Sequence, residues 1–349
     1  MTGMARAAFE IGGQRVVPGT RRTVDLPVAV MSDHTPVTMS VHVIHGRQPG
    51  PVMFVSAAVH GDEVIGVEIL RRLLAAPALR GLRGTLLAVP IVNTFGFLAQ
   101  SRYLPDRRDL NRSFPGSENG SLAARLADLF LREVVTRADF GIDLHSAAQH
   151  RTNLAQIRVS PGDARALRLA QHFGAPVILT SAVRPGSLRE VARARGVTML
   201  LFEGGEALRF DEMAVRAGVS GILRVLGRLE MTPGRGIGPP RRTPLVCTES
   251  RWLRAPKGGL FRTFRAEGTV IAPGEVLGIV SDPMGIVQAE VQSERGGIVI
   301  GRSLMPVVNE GDALFHLAAV ASHATAETVM ETLVGQLAEE ALFDEDEII

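Results

Sequence analysis

Short apolar runs that alternate with segments of helical spacing are the feature of this sequence that most restricts its fold. The runs are continuous rather than alternating, as expected of strands that are covered on both faces. They comprise 51–59, 84–92, 138–144, 176–180 and 197–202. Helices are predicted between several of them, at 63–76, 121–136, 163–173 and 207–229. Strands that alternate with helices indicate an α/β domain with a mixed, largely parallel sheet flanked by helices.

The regions on either side follow other patterns. Residues 1–48 alternate apolar and polar side chains, which predicts N-terminal β-strands that join the main sheet of the α/β domain at 49–230. The segment 231–245 is rich in proline and glycine and predicts a linker. Short apolar runs punctuated by glycine predict a smaller all-β domain at 246–320, and a helix with an acidic tail follows at 321–349.

Composition argues against several classes of protein. Cys247 is the only cysteine, so neither an intrachain disulfide nor a cysteine-rich metal cluster can form. The 38 basic residues are scattered rather than gathered beside aromatic side chains, which argues against nucleic-acid binding. No apolar stretch reaches the length of about 18 residues that a membrane helix needs, and the N-terminus lacks the pattern of a secretory signal. The sequence therefore predicts a cytoplasmic protein without a membrane partner.

Ionisable residues stand where three of the predicted strands end. His60 and Glu63 follow the first strand of the α/β domain. His145 ends the third strand, and Glu203 ends the fifth. Ligands of open α/β sheets bind at the carboxyl ends of the strands, so these side chains are expected to meet. Because buried unpaired charges are costly, a shared cation is the economical explanation.

Two histidines and one glutamate are sufficient for a catalytic zinc site. Such a set leaves a fourth position for water, and zinc lowers the pKa of that water to about 7. We therefore predict that His60, Glu63 and His145 bind one Zn²⁺ per chain. Glu203 is the predicted base that accepts the proton of the water. Asp143 precedes His145 by two residues on the same strand face, and is predicted to orient it.

Each of these residues also has a purely structural interpretation. His60 and His145 could be hydrogen-bonded histidines of the core, and Glu63 could stabilise a helix N-terminus through the helix dipole. Glu203 could form a salt bridge with a neighbouring arginine. The expected position of all four residues at one edge of the sheet favours the functional interpretation.

A long polar loop at 93–120 supplies further candidates. A connection of this length inside a compact domain is usually functional or disordered. Its sequence SRYLPDRRDLNRSFPG contains Arg102, Asn111 and Arg112. The planar guanidinium of arginine binds a carboxylate through two hydrogen bonds, and asparagine can donate another. We therefore expect this loop to hold an anionic substrate beside the metal.

Four motifs in combination resemble the succinylglutamate desuccinylase/aspartoacylase family, which is similar to the zinc carboxypeptidases. They are HGDE at 60–63, DLNRSFPG at 109–116, DLHS at 143–146 and FEGG at 202–205. The resemblance covers roughly 45–320 and implies a zinc carboxypeptidase-like fold. Its enzymes hydrolyse the amide bonds of N-acyl amino acids.

The resemblance also implies roles for individual residues. His60, Glu63 and His145 match the zinc ligands of the family. Glu203 matches its general base, and Arg102 matches an arginine that polarises the scissile carbonyl. The residues that match contacts to the substrate are Asn111, Arg112 and Arg193.

Two departures from the family pattern leave the substrate open. A substrate-contacting tyrosine of the C-terminal domain cannot be matched, because Tyr103 is the only tyrosine here. Arg189 and Arg195 lie close enough to Arg193 to compete for its place in the alignment. The sequence is most similar to the broad predicted-deacylase branch of the family.

The segment at 246–320 resembles a barrel-sandwich hybrid of the biotinyl/lipoyl type. The residues that carry this resemblance are Gly268, Val270, Gly274 and Leu277. Carrier domains of that type need a lysine at the tip of a hairpin, and Lys257, the only lysine, lies at the wrong end. We therefore expect no carrier role. The domain is expected either to cover the active site or to mediate self-association. In the second case the protein would form a homo-oligomer.

Together these features predict a zinc-dependent amidohydrolase that cleaves an N-acyl amino acid or a related small amide. Its expected partner is a small anionic substrate. Two alternatives remain. The same centre could serve a carboxypeptidase-like peptidase that acts on short peptides, or the cleft could belong to a non-catalytic module that binds an acidic metabolite or a protein partner.

Overall fold

A mixed β-sheet of 13 strands lies at the centre of the computed structural model, which describes residues 6–233 and 238–339. The strands are β1 (Phe9–Ile11), β2 (Gln14–Val16), β3 (Thr20–Val30), β4 (Pro36–His45), β5 (Val52–Ala57), β6 (Thr85–Val89), β7 (Phe140–Ala147), β8 (Arg151–Val159), β9 (Val177–Thr180), β10 (Thr198–Glu206), β11 (Leu245–Cys247), β12 (Ser250–Arg254), β13 (Gly259–Thr263), β14 (Val270–Ile271), β15 (Val276–Ser281), β16 (Gln288–Gln292), β17 (Gly297–Ser303), β18 (Val307–Val308) and β19 (Ala313–Ala318). The α-helices are α1 (Ile65–Ala75), α2 (Thr94–Leu98), α3 (Leu122–Glu133), α4 (Ala164–Phe173), α5 (Leu188–Ala194), α6 (Glu212–Arg228) and α7 (His323–Glu339).

Parallel strands form the middle of the sheet. β6, β5, β7 and β10 lie side by side in that order, and each pair runs in parallel. Every residue of β6 and β7 is buried, as expected of parallel strands that are covered on both faces. β3 and β4 extend the sheet beyond β6 as an antiparallel pair. The predicted α/β class with a mixed, largely parallel sheet is confirmed.

Helices pack on both faces of this sheet. α1, α4 and α6 cover one face, where Ile69, Phe173 and Ile222 are fully buried. α3 and α5 cover the other face, where Phe54 and Phe130 meet edge to face with ring centroids 6.0 Å apart. Such an aromatic pair contributes about 0.5–1.5 kcal/mol beyond the burial of its area. Packing on both sides therefore fixes the ends of the parallel strands.

The C-terminal strands are joined to the same sheet. β8 pairs antiparallel with β10, and β17, β19 and β12 follow beyond β8. A separate antiparallel sheet consists of β16, β15, β13 and β18, packed on a core that includes Phe261, Leu277 and Phe315. The sequence predicts a distinct all-β domain at 246–320, but several of its strands continue the main sheet. The reason is that β8 presents backbone groups that need a partner strand.

The remaining C-terminal elements pack on the α/β part. β11 pairs in parallel with β9, and α7 contacts α6. The predicted acidic tail lies outside the described residues. Within 6–233 and 238–339, no helix is both long enough and apolar enough to cross a membrane.

Candidate metal centre and active site

Three parallel strands bring four ionisable side chains to one edge of the sheet. His60 and Glu63 lie in the turn that follows β5. His145 lies in β7, and Glu203 lies in β10. The register of β10 with β7 sets Glu203 directly opposite His145. The edge is formed by the carboxyl ends of the strands, where the sequence predicts the site.

Two glycines allow the turn after β5 to lie close to its neighbours. A Cβ atom on Gly61 would lie 1.9 Å from the carbonyl carbon of Gly96. A Cβ atom on Gly66, in the first turn of α1, would lie 2.7 Å from the Cβ of Leu144. Only glycine fits at such close approaches. These contacts seat the start of α1 against β7 and so place Glu63 at the centre of the site.

His60, Glu63 and His145 form a compact, buried group. The Nδ1 atom of His60 lies 2.7 Å from Oε1 of Glu63, and the Nδ1 atom of His145 lies 2.7 Å from Oε2. Each of the three residues offers a ligand atom within 4.8 Å of the other two. Imidazole nitrogens and a carboxylate are a donor set that divalent transition metals accept. This group could therefore hold a metal ion.

Burial and charge act in opposite directions on these residues. Burial alone would raise the pKa of Glu63, but His60 and His145 lower that pKa below its ordinary value. Burial disfavours the charged form of His145, yet Asp143 and Glu63 raise its pKa well above the ordinary value. Burial opposes protonation of His60 as well, but Glu63 and Asp109 raise its pKa. The surroundings of both histidines therefore favour a positive charge.

Carboxylates on the far side of each histidine hold its ring. Oδ2 of Asp143 lies 2.7 Å from Nε2 of His145, and Oδ1 accepts a 2.7 Å hydrogen bond from the Ser56 hydroxyl. Oδ1 of Asp109 lies 3.2 Å from Nε2 of His60. Partners of this kind fix the ring orientation of metal-binding histidines and raise their basicity. Asp143 lies where the sequence predicts a supporting carboxylate.

The predicted residues of the long loop lie beside this group. Arg102 donates a 3.2 Å hydrogen bond to Oε1 of Glu63. Asn111 is buried, and its Oδ1 accepts a 2.9 Å hydrogen bond from the N–H of Leu188, which leaves its NH₂ group to act as a donor. Arg112 is exposed and donates to the carbonyl of Asn111. The loop thus brings two guanidinium groups and an amide to the edge of the site.

Glu203 lies beside the group of His60, Glu63 and His145 without belonging to it. Its side chain is 13% exposed. Its Oε2 accepts a 3.0 Å hydrogen bond from the amide of Asn153, and its Oε1 lies 3.4 Å from Nη1 of Arg158. Among the residues that the structure describes, the possible metal ligands are the two histidines and Glu63. A carboxylate so placed can act as an acid or base next to a bound metal.

The arginines that precede Glu203 in the sequence differ in how far they are buried. Arg189 is 7% exposed and donates a 3.1 Å hydrogen bond to the Ser181 hydroxyl. Burial lowers the pKa of Arg189 to about 10, with a further lowering by Arg158 that Glu203 opposes. Arg193 lies one turn further along α5 and is exposed. Arg189 therefore belongs to the charged group around Glu203. The substrate contact expected for Arg193 stays a prediction.

Four residues of the site are not identified from the sequence: Ser56, Asp109, Asn153 and Arg158. Asp109 begins the DLNR motif, which is a signal that could have identified it. Asn153 and Arg158 belong to β8, whose polar residues interrupt any apolar run. Their contacts with Glu203 can be recognised only when the pairing of β8 with β10 is known.

The catalytic part of the chain matches a known family. The model of the succinylglutamate desuccinylase/aspartoacylase catalytic domain matches residues 49–229, which is more than half of the chain. The chain belongs to this family. This match confirms the resemblance seen in the four sequence motifs. The family consists of deacylases, which hydrolyse amide bonds.

Individual proteins are similar to this chain over most of its length and theirs. The N-alpha-acetyl-L-2,4-diaminobutyric acid deacetylase of Halomonas elongata is 29% identical over 295 residues, which are 78% of this chain and 84% of the relative. The product-bound ectoine utilization protein EutE (DoeB) from Ruegeria pomeroyi has a TM-score of 0.76 and 24% identity, covering 86% of this chain and 95% of that one. A succinylglutamate desuccinylase/aspartoacylase from Rhodobacter sphaeroides has a TM-score of 0.75 with the same identity and coverage.

Proposed function

We propose that the protein is a zinc-dependent amidohydrolase that removes the acyl group from an N-acyl amino acid or a related small amide. One observation carries the proposal. His60, Glu63 and His145 converge within 4.8 Å of one another, while Glu203 stands opposite His145 on the next strand. A hydrolase of this kind needs ligands for a metal and a separate carboxylate for proton transfer, and both are present.

The two histidines and Glu63 would hold the zinc ion. When bound, zinc would polarise the amide carbonyl and lower the pKa of water to about 7. Glu203 is proposed to accept the proton of the attacking water and then to donate it to the departing nitrogen. One carboxylate can serve both steps, because it ends the cycle in the protonation state in which it began.

The arginines of the site are proposed to bind an anionic substrate. Arg102 lies against the metal-binding group, where it would stabilise the negative charge that develops on the carbonyl oxygen. Asn111 and Arg112 would hold the carboxylate of the amino acid, with Arg189 as a further cationic contact. A fixed carboxylate sets the orientation of the amide. The Halomonas relative is a deacetylase of an N-acetylated diamino acid, which supports an N-acyl amino acid as the substrate class.

A substrate screen tests the proposal directly. We expect purified protein to contain about one zinc per chain by elemental analysis, in agreement with its three ligands. The zinc-loaded protein should release the amine from N-acetyl or N-succinyl amino acids, including those of diamino acids. Hydrolysis of dipeptides alone would favour a carboxypeptidase-like enzyme instead. Protein that neither contains nor binds zinc would contradict the proposal.

A single substitution tests the role of Glu203. Glu203→Gln keeps the size of the side chain but removes its basicity, so kcat should fall by about 100- to 10,000-fold. The zinc content should remain that of the wild type, because Glu203 is not a proposed ligand. Glu290→Gln, at an exposed position of β16, is the matched control and should keep full activity. Wild-type rates in Glu203→Gln would remove this residue from the mechanism.

A further inference from the structure

The carboxylate of Glu203 is held through both of its oxygens by one neighbouring strand. Asn153 and Arg158 both belong to β8, and they contact Oε2 at 3.0 Å and Oε1 at 3.4 Å, respectively. No other hydrogen bond or ion pair of this carboxylate is found within the described parts of the chain. The orientation of the proposed base therefore depends on β8.

An irregularity in the pairing of β8 with β10 makes this arrangement possible. Asn153 and Arg158 are five residues apart, so in a regular strand they would point to opposite faces of the sheet. The register shifts between Glu203, which is opposite Gln156, and Gly205, which is opposite Asn153. One extra residue in β8 therefore places Asn153 and Arg158 on the same face of the sheet as Glu203. Bulges next to active sites commonly redirect side chains in this way.

The next strand fixes the amide of Asn153 from its other side. Gly301 of β17 is opposite Asn153, and a Cβ atom at position 301 would lie 2.5 Å from Oδ1 of Asn153. The oxygen end of the amide therefore occupies the space over Gly301. This leaves the NH₂ end to face Glu203, which is the orientation that donates to a carboxylate.

Arg158 is confined in the same way by charged and polar neighbours. Its Nε atom is buried without a hydrogen-bond partner in the described residues. Its charge acts on Arg189 and also on His316, whose pKa is lowered to about 3 by burial and by Arg158. His316 is therefore neutral, and the positive charge that repels the guanidinium of Arg158 is that of Arg189. Arg158 instead contacts the carboxylate of Glu203.

From this geometry we infer that Asn153 and Arg158 are positioning residues that aim the carboxylate of Glu203 at the substrate. The inference rests on the proposed function. Asn153 restricts rotation of the carboxylate through Oε2, and Arg158 holds the other oxygen, Oε1. A base that is misdirected by about 1 Å loses much of its effect, whereas substrate affinity is unchanged because neither residue is proposed to contact the substrate.

Kinetics of Asn153→Ala and Arg158→Met test the inference. In each variant kcat should fall by about 10- to 100-fold, while KM and zinc content stay within about 3-fold of the wild type. Arg158→Lys, which retains the charge, should recover part of the lost kcat. Thr152→Val is the matched control, because its side chain is on the same strand and contacts Glu267 rather than Glu203. It should keep the wild-type kcat.

Three kinetic results would overturn the inference. One is an unchanged kcat in both Asn153→Ala and Arg158→Met. Another is a loss that appears in KM alone, which would make these residues substrate contacts. A further loss of equal size when Asn153→Ala is added to Glu203→Gln would also contradict a role through Glu203, since a positioning residue has little effect once the base is gone.

A stability measurement separates failure of this inference from failure of the proposed function. Urea midpoints of Asn153→Ala, Glu203→Gln and the double variant form a cycle that needs no catalysis. The midpoint shifts should be non-additive if the two side chains interact. Additive shifts overturn the inference, whatever the activity. Protein that folds, shows non-additive shifts and hydrolyses no amide overturns the proposed function instead.

Discussion

Glu63 and Glu203 lie at the same edge of the sheet, but different partners surround them. Glu63 is between the imidazole rings of His60 and His145, each 2.7 Å away. Glu203 is held by the amide of Asn153 and the guanidinium of Arg158. An imidazole nitrogen can ligate a metal, whereas the NH₂ group of Asn153 and the guanidinium of Arg158 are donors of hydrogen bonds and cannot ligate one. The partners of Glu63 thus suit it to the proposed cation, whereas those of Glu203 keep it apart from that group, in agreement with the proton transfer that we propose for it.

The pKa of a histidine is shifted in opposite directions on the two sides of the site: it is raised for His145 and lowered for His316. Burial opposes protonation of His145, but Asp143 and Glu63 raise its pKa. Burial lowers the pKa of His316 to about 3, and the nearby Arg158 adds to the effect. One side of the site is therefore arranged to attract positive charge, and the other already contains it. Each of the following predictions tests one part of this contrast.

The largest effect is expected on the metal side. His145→Ala removes one of three proposed ligands, so zinc content and turnover should both be lost, with kcat at least about 1,000-fold lower. Elemental analysis and an amide-hydrolysis assay measure the two. His172→Ala, at an exposed position of α4, is the control and should behave as the wild type. Full zinc occupancy in His145→Ala would mean that His145 is not a zinc ligand. The two variants His145→Ala and Glu203→Gln would then no longer differ in zinc content.

A smaller effect is expected when the support behind a ligand is removed. Asp143→Asn weakens the hold on His145, and loss of such a partner typically lowers metal affinity by about 10- to 100-fold. Competition with a chromophoric chelator measures the affinity. Asp25→Asn, at an exposed position of β3, provides the control. Unchanged affinity in Asp143→Asn would mean that the carboxylate serves packing alone.

We expect the removal of two neighbouring arginines of α5 to affect kcat/KM differently. Arg189→Ala should lower kcat/KM by about 10- to 100-fold, since one hydrogen bond to a charged group contributes about 1.5–3 kcal/mol. Arg193→Ala should have little effect, because Arg193 is exposed one turn further along α5. Steady-state kinetics of both variants decide. The reverse pattern would restore the alignment expected from the sequence.

The last prediction concerns the free energy of unfolding at pH values below neutral. His316 is neutral in the folded protein because its pKa is lowered to about 3, whereas in the unfolded chain it is protonated below about pH 6.5. Its contribution is therefore complete above pH 6.5 and decreases as the pH falls towards 3. Between pH 7.5 and 5, the wild type should lose about 2 kcal/mol more of its free energy of unfolding than His316→Gln does. Urea unfolding at both pH values measures this, and equal losses would contradict it.

Strand periodicity explains which parts of the fold could be predicted. β5, β6 and β7 are continuous apolar runs, and the predicted strands coincide with them to within a few residues. β8 was not predicted, because Arg151, Asn153, Gln156 and Arg158 interrupt its apolar residues. A strand of this composition forms because neighbouring strands on both sides pair with its backbone. The local sequence does not contain this cause, because the neighbours come from distant segments.

The same reasoning applies to the candidate site. The motifs around His60 and His145 identify residues that the structure brings together, because each motif ends a strand whose position the apolar pattern fixes. Arg193 illustrates the limit. Spacing from Glu203 does not tell which turn of α5 is buried, so only packing distinguishes Arg189 from Arg193. The partners of Glu203 depend on strand pairing between distant segments, which no local pattern encodes.

The continuity of β17 with β8 restricts how this enzyme can be dissected. Residues 301–303 of β17 pair with residues 151–153 of β8, the stretch that contains Asn153. Excising the chain after the family domain would leave this stretch as a bare edge, open to association with other molecules and to aggregation. The excised fragment would lose the strand that packs against Asn153, the partner of the proposed base. The C-terminal strands therefore form one wall of the α/β unit rather than a separate module.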